Sequence, residues 1–438
     1  MRQFSTRKKF HRRSFSSFRR SILGFLHFIH SAILGYWNKA SGRNAGSKLS
    51  NLLWRIGRYL ARSIIYRILF PSFTIIFNFV FNLCTPLLNQ LLVRIRKDIK
   101  YPNSVLHISY MVHIPYYMTR TLRKYGIKAD YLAVNSQSPY WDKFDYIFPS
   151  HYPVTTIEEF IFFWKVVAKY EVIHSHFGIM FSLSGWELPL LKKMGRKIVV
   201  HYRGCEARER QKNMELHPDM NICQECDYNG SVCRDGIMRV HLADKFGDKF
   251  LVTTPDMKDF KPKAVHFPFF LPEIDEQKYK TNNHKHKLGA PYKVVHVTNH
   301  PGIEGIRQIE TAIDHLKEKG YNINFVFLRG VSPERALQEY KDADLSIGKM
   351  KMGYYANAQI ESMFLSVPAI TYVRPEFMTP ELERSGFIFT TLDTLEDTLE
   401  YYLGHPEELE KKKSIARSSI LCLHDTDRSK AAYFNIWT

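Results

Sequence analysis

Between Val294 and Arg374 the chain reads VVHVTNHPGIEGIRQIETAIDHLKEKGYNINFVFLRGVSPERALQEYKDADLSIGKMKMGYYANAQIESMFLSVPAITYVR. VVHV (Val294–Val297) has the apolar, β-branched character of a buried strand. The turn after it contains Gly302 and Gly305. Ile306 to Lys319 is spaced as an amphipathic helix. NFVFL (Asn324–Leu328) predicts a second strand, SPERALQEYKDA a second helix, and Leu345–Ile347 a third short strand. Glu361 stands at the start of a further helix, and Pro368 precedes the next strand. Strand and helix alternate at short spacing, the pattern of a parallel sheet with crossover helices.

Working outward, the same pattern extends upstream. SVLHISY (Ser104–Tyr110), KADYLAV, Tyr170–His176 and Lys197–Tyr202 read as strands, and the segment from Pro115 to about Tyr125 as a helix that ends at Gly126. The loop after the first strand, MVHIPYY, has no glycine-rich turn. His113 and Tyr116 either face a cleft there or simply fill the turn. His174 and His176 alternate with Ser175, so they point the same way, near the strand end where open α/β sheets bind ligands.

In order and spacing these segments resemble the GT-B glycosyltransferases, specifically the family-four-like bacterial enzymes (glycosyl transferases group 1). The likeness rests on YEVIHSHFG (Tyr170–Gly178), LPLLKKMGRKIVVHYRGCEAR (Leu188–Arg208), FLVTTPDMKDFKPKAVHFPF (Phe250–Phe269) and the stretch quoted above. It covers roughly residues 103–435. The resemblance implies an α/β fold of two Rossmann-like domains facing a cleft. An N-terminal acceptor domain would span 103–280 and a C-terminal nucleotide-sugar domain 281–438. It also implies a retaining hexosyl transfer from a nucleotide-sugar donor.

The resemblance implies site residues as well, and at several the chain departs from the family pattern. Arg203 stands where related enzymes often place a histidine, with His201 two residues earlier and Glu206 at an expected acid. These three are the catalytic candidates. An arginine cannot act as a general base, though it can stabilise phosphate charge. On the donor side, Pro301 replaces an expected arginine and Glu304 an expected lysine. Arg307, Arg329, Lys349 or Lys351 would have to answer a diphosphate instead. Gly302 and Gly330 mark the two turns. Gly353–Tyr354–Tyr355 resembles a glycine–tyrosine turn of closer relatives. Gly353 also replaces the first of two spaced glutamates, which leaves Glu361 to hydrogen-bond the ribose.

Four of the six cysteines cluster: Cys205, Cys223, Cys226 and Cys233. The C-x-x-C turn and the third cysteine six residues on suit a tetrahedral structural zinc. Reduced thiols, an occasional disulfide or an iron–sulfur cluster are the other readings, and His217 is a substitute ligand. Cys84 and Cys422 read as apolar fillers.

Charge divides the chain sharply. Residues 1–100 hold 19 Lys/Arg and one acid, Asp98, whereas the remaining 338 residues hold 43 basic and 42 acidic groups. The globular part is near neutral, which argues against a nucleic-acid-binding core. Residues 1–102 therefore read as a basic, apolar, helical arm. Arg55, Arg58 and Arg62 fall at helical spacing, with Leu53, Ile56, Leu60 and Ile64 on another face. That is an interfacial amphipathic helix. Ile68–Val93 has no formal charge and is long enough to span a bilayer, but its prolines and amides suit an in-plane element equally. Packing against the core as ordinary helices is the bland alternative. The arm predicts contact with an anionic membrane surface at the cytoplasmic face, with no signal peptide.

Together these readings predict a membrane-associated glycosyltransferase of polysaccharide biosynthesis, acting on a lipid-linked or glycan acceptor. The alternative is a catalytically degenerate glycosyltransferase-like scaffold with a membrane protein partner.

Overall fold

The computed structural model describes residues 101–110, 113–134, 143–148, 157–182, 184–267 and 289–424, with the isolated positions 87, 90, 92, 93 and 286. The readings made for the arm, for Cys84 and for the C-terminal tail lie outside these residues.

Two parallel sheets organise the described chain. The first has seven strands in the order β3-β2-β1-β4-β5-β6-β7. They are β1 (Tyr101–Ser109), β2 (Lys128–Val134), β3 (Tyr146–Phe148), β4 (Tyr170–His176), β5 (Lys197–Tyr202), β6 (Lys249–Val252) and β7 (Val265–His266). The second has five, in the order β12-β11-β10-β8-β9. These are β8 (Tyr292–Thr298), β9 (Ile323–Arg329), β10 (Leu345–Ile347), β11 (Ala369–Thr371) and β12 (Phe387–Phe389). Every paired strand runs parallel. The order reverses between β1 and β4 in the first sheet, and between β8 and β10 in the second. Open sheets of this kind bind ligands at the strand carboxyl ends beside such a switch point.

Helices cover both faces of the central strands, so β1, β5 and β8 are largely buried, whereas the edge strand β9 keeps an exposed side. On one face of the first sheet Val105, Val172, Val199 and Leu251 pack with Ile114, Met118 and Leu122 of helix α1 (His113–Lys124). Leu106, Ile173, Ile198 and Val200 face the other way, into a core with Phe163 and Trp164 of α2 (Ile157–Lys165) and Leu188 and Leu191 of α3 (Leu188–Lys193). Each fully buried aliphatic contributes about 1.5–3 kcal/mol. A one-residue slip would exchange the two faces, so packing pins the register.

In the second sheet Val294 packs with Ile309, Ile313 and Leu316 of α7 (Ile306–Glu318), while Val295 faces Leu337 and Tyr340 of α8 (Pro333–Tyr340) and Ile360 and Met363 of α9 (Asn357–Phe364). Ser332 caps α8 by accepting from the Arg335 amide at 3.3 Å. Between the sheets' sequences lie α4 (Arg210–Leu216) and α5 (Ser231–Phe246), which flank the cysteine-bearing turn. The four-residue α6 (Pro301–Glu304) follows β8. Among the described residues, no helix is long and apolar enough to cross a membrane.

Candidate functional site

At the first switch point the register aligns His107 with His174 and His176 with His201. All four imidazoles are buried on one sheet face. His107 Nδ1 and His176 Nε2 lie 3.0 Å apart. Arg203 sits at the rim, its Nη1 3.5 Å from His176 Nδ1 and 3.4 Å from His201 Nδ1. A guanidinium only donates, so both Nδ1 atoms accept. The neutral rings therefore carry their protons on Nε2. From there His176 donates to His107, and His201 donates to Thr253 Oγ1 at 3.1 Å. Burial, reinforced by the neighbouring charges, keeps all four rings neutral. It brings His107 down to about 3 and His174, His176 and His201 well below the ordinary histidine range.

His107, His174 and His176 present ligand atoms within 4.8 Å of one another. Three neutral imidazoles with a guanidinium against one of them are a poor host for a divalent cation, because the arginine repels it. The arrangement reads better as a support that orients Arg203. Glu206, the third catalytic candidate, is buried and turned inward. Its Oε1 accepts from the Arg203 and Gly204 amides, the latter at 3.1 Å. It braces the turn that carries the arginine.

The four clustered cysteines are free thiols. Burial pushes the Cys205, Cys223 and Cys233 thiols up, and each is raised further by other members of the cluster, Cys226 included. The four thiols are thus within electrostatic reach of one another, but among the described residues the group whose ligand atoms converge closely enough for a metal ion is His107, His174 and His176, not the cysteines. Arg208 stands beside Cys205 and is itself fixed by Asp256, Nε to Oδ2 at 2.8 Å, with both side chains buried. His217 is turned elsewhere: its Nε2 meets Asp259 Oδ2 at 3.1 Å and Arg374 Nη2 at 2.9 Å.

The turn between α4 and α5 reaches the switch point of the second sheet. Asn221 Oδ1 accepts from the Cys223 and Gln224 amides at 2.9 and 3.1 Å, which bends the chain back. This presents Glu225 and Asp227, either side of Cys226, to the end of β8. Asp227 accepts from the amides of Gly302 and Ile303, each at 3.3 Å. Glu225 forms an ion pair with Lys351, whose side chain is 3% exposed, and lies 3.6 Å from Arg307 Nη1. The Tyr228 hydroxyl is 2.7 Å from His300 Nδ1. Gly302 is required by the approach: a Cβ there would lie 2.1 Å from the Glu225 carbonyl oxygen.

Gly302, Lys351 and Arg307, proposed from sequence for a phosphate, are therefore brought together around two carboxylates. Arg329, exposed at the end of β9, lies within electrostatic reach of Tyr228 and His300. The adjacent Gly330 has a φ of 64° and donates its amide to Asn299 Oδ1 at 3.2 Å. Glu304, the acid in the lysine position, is buried and ion-paired with Lys349. Tyr354 and Tyr355 are buried and stacked, ring centres 4.5 Å apart, and Tyr355 Oη lies 3.2 Å from His424 Nε2. Their observed work is packing. Glu361 on α9 keeps part of its surface open to solvent, and desolvation by the surrounding protein lifts its carboxyl to about 7.

Sequence reading missed His107, Glu225 and Asp227. The signal for the two acids was their position flanking the second cysteine of the C-x-x-C pair. His107 becomes significant only through strand register.

Two Rossmann-like sheets, ordered 3-2-1-4-5-6 and 2-1-3-4-5 with one added edge strand on the first, make up the described chain. This is the predicted α/β class, two doubly wound parallel sheets. No family model and no curated protein sequence matches the chain. Among solved structures it is similar to sucrose-phosphate synthase from Thermosynechococcus elongatus, at 13% identity and a TM-score of 0.47, covering 76% of this chain and 99% of that one. It is also similar to the catalytic domain of starch synthase IV from Arabidopsis thaliana, bound to ADP and acarbose, at 10% identity, a TM-score of 0.48 and coverages of 76% and 98%. A third similar structure is HepE from Anabaena in complex with UDP-glucose, at 11% identity, a TM-score of 0.47 and coverages of 75% and 99%.

Proposed function

We propose that the chain is a glycosyltransferase that takes a sugar from a nucleotide-sugar donor and passes it to a lipid-linked or glycan acceptor at a membrane surface. The observation that carries this reading is the anion cradle at the second switch point. Two backbone amides and the buried ammonium of Lys351 converge there on negative charge. Such a cradle suits the leaving diphosphate of glycosyl transfer, where catalysis is mainly positioning and charge stabilisation. Arg203, held by neutral histidines at the first switch point, supplies a second positive group. Glu361 accepts from the ribose hydroxyls.

The 18 net positive charges of residues 1–100 support attachment to anionic lipids at the cytoplasmic face. Retention of configuration follows the family resemblance. The C-x-x-C spacing and the electrostatic coupling of the thiols support a structural zinc on Cys205, Cys223, Cys226 and Cys233, which would have to draw the sulfurs together on binding.

A second reading, a scaffold without turnover bound to a membrane protein, is favoured by the carboxylates already in the cradle and by Glu304 holding Lys349. Calorimetric titration with UDP, ADP and GDP separates the two. The enzyme reading expects one of them to bind, and expects Glu361→Ala to weaken that binding about tenfold, the worth of a hydrogen bond to a charged group. Binding by none would leave the scaffold.

A further inference from the structure

We infer that the cysteine turn, residues 221–230, is a built-in latch on the anion cradle. Glu225 and Asp227 occupy the positions of a donor diphosphate, and a nucleotide engages the cradle only after they withdraw. The inference rests on the donor reading for its ligand, but the latch contact itself stands on independent geometry.

Three side chains hold the turn. Asp227 takes the amides of Gly302 and Ile303, one carboxylate oxygen to each. Glu225 takes Lys351 and faces Arg307. The Tyr228 hydroxyl meets His300. Below them Ile222 and Cys223 enter the apolar core that contains Ile303, Met352 and Tyr354. Two acids one residue apart thus place separate negative charges on the amide pair and on the lysine, much as two linked phosphates would. Gly302 leaves room for the Glu225 carbonyl and for nothing larger than hydrogen. Phosphates and these carboxylates cannot share the same donors, so their binding is exclusive.

The turn is braced internally, so its two acids are tied to one another. Cys223 and Cys226 bracket Glu225, and Cys226 separates it from Asp227, so whatever ties the thiols sets the position of both acids. Asn221 closes the base of the turn by accepting two amides. Lys351 would be left buried without a counter-charge if the turn withdrew alone, which is costly. Exchange for a diphosphate keeps that charge matched. A closed latch reduces apparent donor affinity in proportion to the closed fraction.

The test compares the full chain with Glu225→Gln/Asp227→Asn, a change that keeps size and removes both charges. Deuterium exchange is read on the peptide covering 299–305, without nucleotide. The latch expects exchange at Gly302 and Ile303 at least about fivefold faster in the variant, and unchanged rates would overturn it. UDP is then titrated into both proteins. About tenfold tighter binding by the variant is the expected result; equal or weaker binding would overturn the competition. If UDP, ADP and GDP bind to neither protein while exchange still accelerates, the donor reading fails and the turn stands as a permanent clasp, which overturns the latch as a donor gate. Gly302→Ala supplies a second variant that dislodges the turn from the other side, and it too must accelerate exchange at Ile303.

Discussion

Replacing Glu361 by glutamine should stabilise the protein at high pH and leave it unchanged at low pH. Desolvation raises this carboxyl from 4.5 to about 7. The native state therefore binds the proton more tightly than the unfolded chain does, and stability is fully present below pH 4.5. It is lost as pH climbs through the folded value near 7, and is flat above that. The shift corresponds to roughly 3 kcal/mol at most. Partial exposure reduces this to about 1–2 kcal/mol in practice, a rise of roughly 2–8 °C in the unfolding midpoint for a cooperative unit of about 150–250 residues. Differential scanning calorimetry of both proteins at pH 4.5 and pH 8 reads the difference. The variant should melt higher at pH 8, with the gap closing at pH 4.5. A gap of the same size at both pH values, or a wild type that is the more stable at pH 8, would refute the desolvation argument. The same ionisation has a functional face: a ribose acceptor should be the carboxylate, so nucleotide affinity should rise as pH passes 7.

Three further outcomes follow from single contacts. Arg208→Met removes the cation from a buried pair with Asp256 and should cost about 3–5 kcal/mol in chemical unfolding; Arg208→Met/Asp256→Leu should recover much of it, since the stranded charge is then gone. Reduced, metal-free protein should take up one zinc per chain with release of protons, because burial holds the Cys205, Cys223 and Cys233 thiols up; Cys223→Ser should lower the affinity, and absence of stoichiometric zinc would sink the metal reading. Arg203→Lys should weaken binding of a nucleotide sugar, since lysine cannot span both His176 and His201 as the guanidinium does; unchanged affinity would remove Arg203 from the site.

Much of the fold was legible because buried parallel strands advertise themselves. The strand read at Lys128–Val134, from KADYLAV, coincides with β2, and Tyr170–His176 and Lys197–Tyr202 coincide with β4 and β5. The helix read over 306–319 is α7, one residue shorter. Short elements were less visible: β3 has three residues and carries no period of its own. The site was legible only in part. Gly302, Arg307 and Lys351 were named for an anion and do converge on negative charge. That this charge comes from Glu225 and Asp227 is a tertiary fact, since 75 residues separate Asp227 from Gly302. The histidine row likewise depends on β1 pairing with β4, which local patterns do not encode. Tyr354 and Tyr355, which sit in a family-like turn, are buried and stacked, and the sequence alone could not separate that packing from a role at the site.

A crystal structure grown with UDP, ADP or GDP tests the central claim most directly. The account predicts a diphosphate on the Gly302 and Ile303 amides with its charge against Lys351, the ribose at Glu361, and the 221–230 turn displaced. A nucleotide bound elsewhere, or a turn still seated with Asp227 on both amides, would contradict it.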